Sequence, residues 1–189
     1  KNFKIPFRSN LKISGNNLVL ANQNNSLFFL NKSNGEVIRE IPTEETPINN
    51  EFINNISVGK NFSLYLNTYG SIYSINNNSL NIDWFLNLNR SIDIDPSDLF
   101  IGKEIIHNEK IAVVSTNNQT YILDVDNGTI NFKKNFTSTV RPLISGNNLF
   151  LITKNNLLIS LNLITGDEIY SHDINERIAN FLKIKKKNV

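Results

Sequence analysis

Short apolar or alternating runs recur along the whole chain, each closed by Asn or Gly. Towards the C-terminal end they fall at residues 141–145, 149–153, 157–162 and 168–172. The separators are Gly146-Asn147-Asn148, Lys154-Asn155-Asn156 and Thr165-Gly166-Asp167. Near the N-terminal end the same roles pass to 11–14, 18–22, 27–31 and 37–41. Runs this short, bounded by residues that accept positive φ, predict four strands joined by tight turns. Helical repeats would need ten or more residues free of such punctuation.

The two ends are copies of one unit. Ser14-Gly15-Asn16-Asn17-Leu18 aligns with Ser145-Gly146-Asn147-Asn148-Leu149 at a shift of 131 residues, and the match continues through Leu30/Leu161 and Gly35/Gly166. A shift of 93 places Ile111, Val113, Tyr121, Leu123 and Gly128 on Leu18, Leu20, Phe28, Leu30 and Gly35. A shift of 45 places Ile72, Tyr73, Ile75 and Trp84 on Leu27, Phe28, Leu30 and Arg39, with a one-residue adjustment expected in the strand before them. Four units at spacings of 45, 48 and 38 residues, each with four strands, predict an all-β propeller of four-stranded antiparallel blades. The blades are expected near 9–42, 52–88, 99–136 and 140–174 of a single repeat region covering 1–189. Residues 2–7 look like the outer strand of a preceding blade and 177–184 like the inner strand of a following one. The expected object is therefore about half of a larger ring, as in an eight-bladed propeller. Strand edges left unpaired at the two cuts would favour self-association.

Composition sharpens this reading. Of 189 residues, 35 are Asn and 26 are Ile, whereas Ala appears three times, a balance that leans away from helix. Asn surplus fits both turn chemistry and the codon bias of an AT-rich genome. Lys and Arg number 19 against 17 Asp and Glu, so the net charge of +2 lacks the one-sided basic field of a nucleic-acid binder. No apolar run approaches the ~18 residues that span a bilayer, and the lack of an initiator Met suggests a processed chain or an excised piece. Without cysteine, thiolate metal sites, disulfides and cysteine nucleophiles are excluded.

Few residues suggest chemistry. Asp93, Asp95 and Asp98 form the densest carboxylate cluster, in the connection between the second and third units. A calcium loop or a partner contact is possible there, but a Pro-Ser pair breaks the EF-hand spacing, and the plainer reading is a solvated loop. Asp124, Asp126 and Gly128 align with Asn31, Asn162 and their glycines, so they read as turn residues. His107 and His172 sit at non-equivalent places on different blades and read as surface side chains. Lys183, Lys185, Lys186 and Lys187 fall where a turn would enter the next blade. No Gly-x-Ser-x-Gly or phosphate loop appears, so no catalytic, cofactor or metal residue is assigned.

The absence of Gly-His and Trp-Asp pairs argues against WD40 repeats, and the absence of Gly-Gly against kelch repeats. The pattern observed is an apolar strand, then Asn-Asn or Tyr-Gly, Leu-x-x-Leu-Asn/Asp, a glycine, and an aromatic four residues on. It resembles the quinoprotein-type (PQQ-like) propeller repeat, whose aromatic docks between blades. By that resemblance Trp84, Phe132 and Tyr170 are blade-docking residues, while Arg39 departs from the pattern and Leu80 replaces the expected glycine.

Within that group the chain is similar to the BamB family, cofactor-free propeller lipoproteins of outer-membrane β-barrel assembly. Residues 87–168 carry the likeness, through Ser91-Ile92-Asp93-Ile94-Asp95-Pro96, Leu123-Asp124-Val125-Asp126-Asn127-Gly128 and Gly146-Asn147-Asn148-Leu149. The resemblance implies a non-enzymatic scaffold in the periplasm, peripheral to the outer membrane, with no cofactor and no nucleic acid. It makes Asp93 and Asp95 the expected contacts for a barrel-assembly protein partner. Residues 43–50 lack the leucine–arginine pattern that some members use for the rest of that contact. The competing classes are a fragment of a quinone-dependent dehydrogenase and a generic ligand-binding envelope propeller. Quinone enzymes hold the cofactor between an axial tryptophan and a vicinal disulfide, and the missing cysteines tilt the choice towards a scaffold.

Overall fold

The computed structural model describes residues 3–45, 53–89 and 101–175. Among the described residues sixteen strands form four antiparallel sheets of four, each a plain meander in chain order. Blade 1 contains β1 (Lys12–Ser14), β2 (Asn17–Ala21), β3 (Leu27–Asn31) and β4 (Val37–Ile41). Blade 2 contains β5 (Asn55–Val58), β6 (Phe62–Leu66), β7 (Ser71–Asn76) and β8 (Ile82–Asn87). Blade 3 contains β9 (Ile106–His107), β10 (Ile111–Ser115), β11 (Thr120–Asp124) and β12 (Ile130–Lys134). Blade 4 contains β13 (Leu143–Ser145), β14 (Asn148–Ile152), β15 (Leu157–Asn162) and β16 (Glu168–Asp173). The expected partial propeller of about four blades is thus observed.

Blades pack face to face, and this arrangement explains the muted alternation in the sequence. The third strands β3, β7 and β11 are buried on both faces and carry near-continuous apolar side chains, whereas β4, β8, β12 and β16 are largely exposed. Three cores fill the gaps between blades. Val19, Phe29 and Ile41 meet Ile56, Tyr65 and Ile75; Leu64, Leu66 and Ile72 meet Val114, Tyr121 and Leu123; Val113 and Ile122 meet Leu149, Leu151 and Ile159. First strands of neighbouring blades lie side by side, β1 by β5 and β9 by β13, on the axial side.

The pairing register corrects one detail of the repeat alignment. Val19 pairs with Phe29 and Leu64 with Ser74, so β6 keeps the shift of 45 without adjustment. The one-residue change lies in blade 3, where Val113 pairs with Ile122 and so occupies the place of Val19, not that of Leu20. Its cause is the β10–β11 turn at residues 116–119, one residue shorter than the turns at 22–26 and 67–71. Because side chains alternate across a sheet, that slip decides which residues face blade 4.

Residues 3–7 form no sheet of their own. Phe7 bridges to Asn22, and Phe3 and Phe7 pack edge-on against Phe28 with centroids 6.0 and 5.4 Å away. The expected strand at 177–184 lies outside the described residues.

Candidate interaction surface

Each blade's third strand ends in the same turn. The side chain of Asn31, Asn76, Asp124 or Asn162 accepts a hydrogen bond from the amide two residues on, at 2.8–3.0 Å. Its carbonyl accepts from the amide of Gly35, Leu80, Gly128 or Gly166, and a bulge follows. Asp124 and Asp126 are therefore turn residues, with Asp124 Oδ1 committed to the backbone amides of Asp126 and Asn127. All four residues that close the turn have positive φ, between 56° and 77°.

Blade docking is built on these turns. Trp84 lies flat against Gly128 of the next blade, and its Nε1 donates to Val125 O at 2.7 Å. Phe132 lies against Gly166 in the same way. At the first interface both halves of the device change together. Arg39 stands at the aromatic position and is exposed, while Leu80, forced to φ 56°, turns its own side chain into the core between blades 1 and 2. Tyr170 occupies the equivalent place on blade 4 but is 36% exposed and, among the described residues, stacks on His172 at 5.0 Å.

On the axial side a second device repeats, and sequence reasoning missed it. Asn10, Asn55 and Arg141 stand at one position of the repeat, at shifts of 45 and 131 from Asn10, and Lys103 stands one place before it, because this part of blade 3 runs at a shift of 94. Asn10 donates to Ile56 O at 2.9 Å and accepts from Ile56 N at 2.8 Å. Asn55 donates to Gly102 O at 3.0 Å, and Lys103 Nζ donates to Ser138 O. Each reaches a backbone group near the start of the following blade. Burial, with the charge of Lys154 second, lowers the pKa of Lys103. A column of long polar donors amid apolar strands was the available signal, obscured because the residue type changes from copy to copy.

Around these ties runs a cleft of about 540 Å³ lined by Asn10, Lys12, Ile53, Asn55, Gly102 and Glu104. Glu104 lies 3.9 Å from Lys12 Nζ and 3.4 Å from Arg141 Nε, joining blades 1, 3 and 4. Ile53 in this cleft is more than half accessible, as are Leu11 and Ile13, which flank Lys12 along the chain, and Leu143 in β13. Apolar area is thus open while the charges beside it already have partners.

Glu44, in the connection leaving β4, clamps blade 1 to blade 2. Its carboxylate accepts from Tyr73 OH at 2.6 Å, Ser71 Oγ at 2.8 Å and Asn67 Nδ2 at 2.9 Å. Burial opposes its ionisation, but these donors outweigh that and hold the carboxyl below its ordinary value. The phenol of Tyr73 is pushed well up by burial and by the same carboxylate. Sequence gave no warning of Glu44, because its partners come from a hairpin more than twenty residues away.

The expected contacts Asp93 and Asp95, with Asp98 and the lysines at 183–187, lie outside the described residues. His107 sits edge-on to Phe62 at 5.0 Å and His172 on Tyr170, in separate blades. Among the described residues no three His, Asp or Glu side chains converge as a metal site would require.

No protein-family model and no curated protein matches the chain. Its fold is that of known propellers. It is similar to BamB from Moraxella catarrhalis, at TM-score 0.65 and 13% identity over 86% of this chain and 50% of that one. It is also similar to the β-propeller domain of Cps50 (Swd1) from Myceliophteria thermophila, at 0.68 and 10% over 92% and 57%. A third match is the quinohemoprotein alcohol dehydrogenase of Comamonas testosteroni, at 0.68 and 8% over 89% and 35%. The chain spans about half the length of the first two and a third of the last. These likenesses define the class, a β-propeller of four-stranded blades of which four are described. A quinone and its calcium do not fit the described residues: Trp84 is held between blades by Val125 O, and Glu104 is paired with Lys12 and Arg141.

Proposed function

We propose that this chain is a non-enzymatic interaction propeller of the bacterial envelope, acting as BamB does in outer-membrane β-barrel assembly. The observation that carries the reading is the axial face. Along it the first strands and their approaches expose Leu11, Ile13, Ile53 and Leu143, while Lys12 and Arg141 share the single carboxylate of Glu104. Such exposed apolar side chains suit a polypeptide better than a small charged substrate, because apolar contact supplies the affinity. The partner we propose is a periplasmic domain of a barrel-assembly subunit, a reading supported by the sequence likeness around Asp93 and Asp95 and consistent with the fold match to BamB. Capture from envelope extract tests it. The chain should retain a barrel-assembly component, Asp93→Arg and Leu143→Asp should each lower retention severalfold, and failure of the unmodified chain to retain any would overturn the proposal.

The second reading, a piece of a quinone-dependent dehydrogenase, is favoured by the fold match to the quinohemoprotein enzyme. Titration with pyrroloquinoline quinone and Ca²⁺, followed by absorbance, separates the two. Stoichiometric binding would replace the scaffold reading.

A further inference from the structure

Turns of blades 2 and 3 wall a cleft of about 560 Å³, in the size range of roughly 300–1,000 Å³ that small-molecule sites occupy. Within each blade these turns are tied together: Asn77 N donates to Asn61 O and Val125 N to Lys110 O, both at 2.9 Å. Half-buried Phe62 and His107, edge-on at 5.0 Å, form the floor, and exposed Lys60, Glu109 and Asp126 form the rim. Phe62 pairs with the turn residue Asn76, in the place where Asn17, Ile111 and Asn148 pair with theirs. His107 stands where the other blades carry Ile13, Val58 and Ile144. Among the described blades, an aromatic ring and an imidazole therefore meet at this interface alone. Blade 2 ends at Asn87, at the far end of its sheet from Phe62.

Gly59 serves the ring and not the turn. Its φ lies outside the left-handed region, yet a Cβ there would lie 2.6 and 2.8 Å from Phe62 Cε1 and Cε2 and nearer still to Cζ. The missing side chain seats Phe62 over the turn. His107 Nδ1 lies 3.1 Å from Asn108 O, which can only accept, so Nδ1 carries a proton and Nε2 of the neutral ring is left to accept. The rim charges are sorted by blade, Lys60 on one side and Glu109 and Asp126 on the other. None of these three side chains makes a hydrogen bond or an ion pair, so the two sides face each other unmatched. Among the described residues Glu109, Asp126 and His107 do not converge as metal ligands would, which points to an organic molecule and not to an ion.

We propose that this cleft binds a small zwitterion, a free amino acid or a dipeptide with an aromatic side chain. Its carboxylate pairs with Lys60, its ammonium with Glu109, Asp126 and His107 Nε2, and its ring rests on Phe62. A ligand with one charge would leave one side unmatched, whereas a zwitterion gains a charge-assisted contact on each. The cleft shares no residue with the one around Glu104, so the two readings stand or fall separately.

Isothermal titration calorimetry tests this. The emission of Trp84 gives a second readout, because that ring packs on the same core cluster as Phe62 and donates to Val125 O, beside Asp126. L-phenylalanine and glycyl-L-phenylalanine carry both charges, and phenethylamine and 3-phenylpropionate one each. At least one zwitterion should saturate with a Kd of ~1 mM or below, the tighter of the two showing whether the amino acid or the dipeptide is preferred, and both single-charge probes should bind at least about tenfold more weakly. Lys60→Gln should weaken the zwitterion about tenfold without weakening phenethylamine. The double variant Glu109→Gln with Asp126→Asn should do so without weakening 3-phenylpropionate. Thermal unfolding of these variants should match the parent, since the altered side chains have no partner to lose. No saturable binding of either zwitterion, single-charge probes that bind as tightly, or variants that bind the zwitterion as the parent does would overturn the proposal.

Discussion

If Trp84 and Gly128 form the docking contact between blades 2 and 3, adding a single methyl at Gly128 should cost far more than the backbone alone demands. A Cβ there would lie 2.7 Å from Trp84 Cδ2, 2.9 Å from Cζ3 and closer still to Cε3. The indole cannot easily withdraw, because Nε1 is anchored to Val125 O at 2.7 Å and the ring is packed in the inter-blade core. Gly128 also has φ 74°, a conformation that costs an L-residue about 1–2 kcal/mol. Overpacking adds about 1–3 kcal/mol, so Gly128→Ala should lose roughly 2–5 kcal/mol in all. Gly146→Ala is the control: φ 57° gives the same kind of backbone cost, and nothing lies within 4 Å, so it should lose only about 1–2 kcal/mol. Gly166→Ala should fall between them, since Phe132 Cγ would be 3.1 Å away. Urea unfolding followed by circular dichroism measures the losses. The emission of Trp84, the one tryptophan in the chain, should shift to the red in Gly128→Ala as the indole leaves its pocket. Equal losses for the three variants, or unchanged emission in Gly128→Ala, would refute the docking argument.

Other expectations follow from the remaining contacts. Leu80→Gly relieves a strained φ but empties a buried leucine site; the cavity, worth about 2–5 kcal/mol, outweighs about 1–2 kcal/mol of strain, so denaturant titration should find the variant less stable. Asn10→Ala removes both hydrogen bonds to Ile56 and leaves a backbone amide without its partner, a loss of about 1–3 kcal/mol that the same titration should read. Glu44 has its folded pKa held below 4.5, so its stabilising contribution is complete above that value and is lost as pH falls through the lower folded value. Melting temperatures of Glu44→Gln should therefore fall less steeply than those of the parent between pH 5 and the folded pKa. Parallel pH profiles would count against the clamp.

Strand positions, turn types and the number of blades were legible in the sequence, because both depend on neighbours within a few residues. A strand needs a short apolar run, and a turn needs Asn or Gly where φ is positive, as at Gly35, Gly128 and Gly166. The docking aromatics Trp84 and Phe132 were also visible, since the repeat places them in one column with Tyr170. Register in blade 3 was not, because Ile111, Val113 and Tyr121 look alike under either alignment and only pairing across the shorter turn separates them.

What tertiary structure alone decided is everything that passes from one blade to the next. Glu44 reaches Tyr73 across the first interface, Asn10 reaches Ile56, and Glu104 draws Lys12 and Arg141 together from blades at opposite ends of the chain. These partners lie 29 to 92 residues apart, in positions fixed by how sheets stack and not by local preference. The sequence by itself determined the blade; the stacking of blades determined which side chains meet, as Trp84 meets Gly128 and Phe132 meets Gly166.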